Sequence, residues 1–195
     1  NNVFFTYLAD NEVPEKLQEM VTKWRRLAAE LGYTGPVAWK VREGFTLKAH
    51  APKAGPCYEK FGYLQDWKLK NDEPTKSALV FFIPRLVAGS KGKNVDEQFA
   101  LLAETRQRFG LPEHHLSSFG SAAMLSGLIL AHFKRIGERA PLNKEITRTD
   151  TLDSDGDRLI LSFGGDGLSC GWGWSGDDDR CSDVGCFPLG VELGN

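Results

Sequence analysis

The run from Ser118 to Gly137, SFGSAAMLSGLILAHFKRIG, is the longest strongly apolar stretch of the chain. Phe119, Met124, Leu125, Leu128, Ile129, Leu130, Phe133 and Ile136 wrap most of a helical circumference. Helices apolar on all sides are buried ones, so the other elements must pack around this one. Ser117 or Ser118 can cap its start. Lys134, Arg135 and Arg139 bring positive charge to its end, where it suits the helix dipole. Pro141 discourages further helix. Gly120, Ala123, Gly127 and Ala131 form a narrow small-residue face that lets a sheet or a second helix approach closely. Such faces also mark packed membrane helices. The uncharged stretch from Leu116 to Ala131, however, is only 16 residues, short of the roughly 18–20 needed to span. His132, Lys134 and Arg135 follow at once. The expectation is a core helix of a soluble domain with no membrane association.

The flanking pattern is mixed. Leu17, Met20, Val21, Trp24, Leu27, Ala28 and Leu31 recur at helical spacing behind Pro14, and Gly32 ends the run. Val37 to Val41, Phe45 to Ala49 and Tyr63 to Lys70 read as short strands. Ser77 to Ile83, SALVFFI, reads as a strand buried on both faces. Asn94 followed by Glu97 resembles a capping box, opening a helix that Gly110 closes. Beyond Pro141 the pattern turns to β. Ile146 to Leu152 and Arg158 to Phe163 flank a D-G turn, and Gly167 to Trp174 and Val184 to Leu193 read as further strands. The order is α+β, with about three main helices and an antiparallel or mixed sheet around the central helix. A chain of 195 residues is expected to form one domain, 1–195, with an acidic, β-rich part at about 146–195.

Charge narrows the function classes. The net charge of −2 argues against general nucleic-acid binding. It is unevenly spread: residues 151–195 hold 2 basic against 9 acidic side chains, and residues 1–150 hold 22 against 17. Cys57, Cys170, Cys181 and Cys186 lack any C-x-x-C pair, so no metal framework is expected. Free thiols fit a reducing, cytoplasmic setting. No signal peptide is expected, since no basic segment with an apolar core opens the chain. No cofactor is implied.

Four stretches can carry chemistry. Arg85 to Lys93 places Ser90, Lys91 and Lys93 among glycines just before a helix start, an arrangement suited to a small anionic ligand. It is not a P-loop, because only two residues separate Gly89 from Gly92. His114 and His115, followed by Ser117 and Ser118, can supply a base and a nucleophile, although no G-x-S-x-G surrounds the serines. Asp153, Asp155 and Asp157 begin like a calcium loop, but Arg158 stands where the glycine belongs. Trp172 and Trp174 can stack on a sugar or base, or anchor a partner protein. No acid/base constellation stands out, so the expected class is a non-catalytic binding or interaction domain. The alternative is a small enzyme that takes a phosphorylated or acidic substrate through the Arg85–Lys93 loop and His114 or His115.

Overall fold

A computed structural model describes residues 3–142, 144–172 and 176–194. The fold is α+β, with two four-stranded sheets. The first sheet has the order β1 (Phe5–Leu8), β2 (Ala38–Val41), β3 (Ala78–Phe82) and β8 (Leu189–Leu193), antiparallel throughout. In the second, β6 (Gly167–Gly171), β5 (Arg158–Gly164) and β4 (Ile146–Leu152) are antiparallel, and β7 (Val184–Gly185) adds in parallel to β4. The α-helices are α1 (Gln18–Glu30), α2 (Leu47–Ala54), α3 (Val95–Phe109) and α4 (Ala122–Ile136). No helix among the described residues is long and apolar enough to cross a membrane.

Alternation along β3 explains the layering. Val80 and Phe82 join a core with Leu125, Leu128 and Ile129 of α4. Phe81 and Ile83 point the other way, to Trp24 and Leu27 of α1 and Leu102 of α3. The continuous apolar run is therefore a strand buried on both faces. Trp24 stacks on Phe81 with centroids 5.6 Å apart. The central helix touches β1 of one sheet and β4 and β5 of the other, with α2 beside it. Phe5 lies on Gly127, and a Cβ built there would fall inside the Phe5 ring, so the small-residue face does admit a neighbour at close range.

The central helix is shorter than its apolar run. Ser121, not Ser117 or Ser118, is the cap, its Oγ accepting from Met124 N at 3.0 Å. Gly120 lies in the left-handed region (φ 87°). The carboxylate of Asp150 takes the amides of Phe119 and Gly120. Those bonds hold the residues that precede the helix.

Two expected strands do not form: residues 45–49 run into helix α2, and residues 63–70 are the end of a helical turn at Leu64 followed by turns and one bridge at Leu69. Phe45 turns into the core and Thr46 begins α2, its amide donating to His50 Nδ1. Pro52 sits inside α2 and cannot donate to the Lys48 carbonyl. Gln65 Nε2 donates there instead. Tyr58–Leu64 forms tight helical turns with Glu59, Lys60 and Phe61 at positive φ. Phe61 and Leu64 are buried three residues apart. The expected last strand divides: β7 belongs to the second sheet and β8 to the first.

Candidate functional site

The short connection between α3 and α4 carries His114 and His115 along the free edge of β8. His115 bridges Gly190, and Leu116 N donates to Leu189 O. Both imidazoles meet one oxygen of Glu192: His114 Nε2 and His115 Nε2 each lie 2.9 Å from Oε1. Among the described residues these three side chains form a group compact enough to share an ion, all three ligand atoms lying within 4.8 Å of one another. The tautomer opposes that use. Trp24 Nε1–H donates to His115 Nδ1 at 3.1 Å, so a neutral His115 carries its proton on Nε2 and donates it to Glu192. Ligation through Nε2 would need the proton on Nδ1, facing the indole N–H. His115 is fully buried, and burial pushes its pKa down to about 4. His114 is the solvent-facing member of the pair. Ser117 Oγ donates to the His114 carbonyl, so this hydroxyl is not aimed at an imidazole.

The Arg85–Lys93 loop is engaged internally. Arg85 makes a two-pronged pair with Glu138 at 2.6 and 3.1 Å. Lys91 pairs with Glu145 at 3.0 Å. Ser90 is buried, and its Oγ accepts from Cys186 N. The helix start beyond is likewise occupied: Val95 N donates to Asp177 O, and Asn94 and Glu97 exchange the two bonds of a capping box. Arg148 locks this region from beneath. Its buried guanidinium donates to Lys93 O, Gln98 Oε1 and Asp179 O, so it ties the α3 entry to the acidic loop. The Lys93 ammonium has no partner among these contacts. Arg85, Ser90, Lys91 and Lys93 thus do not converge on one open point. Arg85 instead joins Glu138 and His132 Nε2 in a second histidine–carboxylate cluster. The Arg85 guanidinium holds the Glu138 carboxyl below its usual range.

The acidic turn and one of the two expected indoles do come together. Trp172 lies just beyond β6 and is 49% exposed. Its ring meets Trp67 with centroids 3.9 Å apart and planes at 61°, which makes an aromatic corner. Trp174, the other expected indole, lies outside the described residues. Trp67 is held from behind by the Tyr63 ring at 5.4 Å. The Tyr63 hydroxyl donates to Cys170 O and accepts from Cys170 N, fixing this aromatic row to β6. Asp66, Lys68, Asp153, Ser154, Asp155 and Asp157 complete a cleft of about 320 Å³. Asp153 Oδ1 accepts from Asp155 N and Asp157 N, which closes the turn. Asp153 is 9% exposed, and its Oδ2 has no hydrogen-bond partner among the described residues. The chain brings the two halves together where Leu69 bridges Asp153 and Lys70 N donates to Leu152 O. Sequence reading missed Trp67, which lay in an expected strand, and Glu192, which lay in a segment with no marked chemistry. Comparison with family models, curated proteins and solved structures returned no match.

Proposed function

We propose that this is a non-catalytic binding domain whose Trp67–Trp172 cleft takes a cationic side chain of a partner polypeptide. The observation that carries this reading is the pair of indoles set at an angle beside four carboxylates and one lysine. An aromatic face attracts a cation through its quadrupole, and the attraction grows as water is excluded. The carboxylates supply the opposite charge, among them the nearly buried Asp153. A neutral sugar can also stack on indole, but it does not call for an excess of negative charge. The enzyme alternative has less support. Arg85 and Lys91 already have carboxylate partners, and His115 is sealed, with its Nε2–H donated to Glu192.

The test is an NMR titration of the indole N–H signals with a lysine-containing peptide, its trimethyl-lysine form and a neutral hexose. The cationic peptides are expected to move the Trp67 and Trp172 signals, with affinity falling as salt rises. Trp172→Ala and Asp155→Asn/Asp157→Asn should each weaken binding about tenfold. If the hexose moves these signals and the peptides do not, the cationic reading is lost.

A further inference from the structure

We propose a second ligand site, separate from the aromatic cleft: the cavity between β1, α2 and α4 binds the straight-chain carboxylate of an amphipathic molecule, with Lys53 and Lys134 at its mouth. The cavity measures about 300 Å³. Its walls are the side chains of Phe4, Phe5 and Phe45 together with Gly127 and Ala131 of α4. The space follows from the sequence. Gly127 and Ala131 are one helical turn apart and too small to fill it. Phe5 packs down on Gly127, while Phe4 and Phe45 meet edge to face at 5.5 Å and form the opposite wall. Phe4 and Ala131 remain partly accessible, so apolar surface faces the opening.

The polar groups at the mouth have one sign. Lys53 and Lys134 line the cavity, both are exposed, and no Asp or Glu lines it among the described residues. Neither lysine has an ion-pair or hydrogen-bond partner among the described residues. His50, which packs on Phe4, accepts the Thr46 amide at Nδ1 and so is already committed. Concave apolar pockets with a few convergent polar groups are the usual form of a small-molecule site. Here the chain of the ligand would lie on the aromatic wall, and its carboxylate would lie between two ammonium groups. Each lysine also sits in the last turn of its helix, where positive charge offsets the dipole. That role makes stability depend on the lysines, whereas the proposed site makes binding depend on them.

Octanoate, octanol and octylamine titrated into the full chain distinguish these roles, with the Val3 and Ala131 methyl signals as the readout. Octanoate is expected to shift both signals, and octylamine is not. Lys53→Gln/Lys134→Gln should weaken octanoate about tenfold or more while leaving octanol within about twofold, since only the carboxylate loses a partner. Ala131→Phe fills the cavity and should abolish the octanoate and octanol shifts, read in that variant at Val3. If that variant misfolds, the lysine pair decides alone. Octanoate that leaves the methyl signals unmoved at millimolar concentration, or that binds the double variant as well as the parent, overturns the proposal.

Discussion

The buried histidine on the β8 edge should make stability fall as acid is added, over a range set by its own pKa. The His115 imidazole is depressed from its ordinary value of 6.5 to about 4, chiefly because burial disfavours the charged ring. The unfolded chain therefore takes up this proton before the folded one does. Its contribution is fully present above pH 6.5 and is lost as pH falls toward 4. From the two pKa values, the loss between pH 7.5 and pH 5 is about 2 kcal/mol. A second obstacle acts in the same direction: a proton on Nδ1 would face the Trp24 indole N–H, so protonation also costs that hydrogen bond. The assay is urea unfolding at the two pH values for the parent and for His115→Gln, which keeps a donor for Glu192 but has no titrating ring. The quantity of interest is the difference between the two pH dependences. Other shifted groups, such as His132, lowered by burial, and Asp150, raised by burial, cancel in that difference. Direct observation comes from the His115 ring signals, which should titrate near 4. A ring that titrates near 6.5 in the folded protein, with equal pH dependence in parent and variant, would refute the reasoning.

Gly127→Leu should destabilise by about 1–3 kcal/mol, because the new side chain must displace the Phe5 ring; an unchanged melting temperature would remove the close-contact argument. Arg148→Met should cost on the order of 3 kcal/mol, since it strands the buried Gln98 Oε1 and takes a partner from the Lys93 and Asp179 carbonyls. Hydrogen exchange at the α3 entry should quicken in that variant, and unchanged exchange would show that the guanidinium is not the lock. Chelation with EDTA should leave the melting temperature of the purified protein unchanged. Added zinc should leave the His115 ring signals in place in the parent, because the Trp24 N–H holds the wrong tautomer for Nε2 ligation; zinc-induced shifts there would contradict the assignment.

Those features that close within a few residues were legible in the chain. The capping box at Asn94 and Glu97 and the glycine end at Gly110 are local exchanges between a side chain or backbone and its own turn. The buried strand at β3 showed itself because both of its faces are apolar. What failed was settled by distant partners. Pro52 forbids a hydrogen bond inside α2, and Gln65, 17 residues from Lys48, supplies a donor to the carbonyl left open. The start of α4 moved inward because Asp150 takes two amides from the approach to it. Periodicity carries no record of such bonds.

The candidate sites divide along the same line. The histidine pair was visible as residue types, but its character comes from Trp24 and Glu192, which lie 91 and 77 residues from His115. One indole fixes the tautomer and one carboxylate accepts the Nε2 hydrogen bond, and the pair then reads as a buried anchor for the β8 edge with a single exposed ring. The acidic tail likewise gains its meaning from a crossing. Between β7 and β8 the chain leaves one sheet for the other, burying Cys186 and Phe187 on the way. That crossing places Cys186 N on Ser90 Oγ and Glu192 against the histidines. It therefore occupies the loop that resembled an anion site and orders the histidines that resembled a catalytic pair. The aromatic corner lies away from this crossing, and there the negative charge of the tail faces an open cleft.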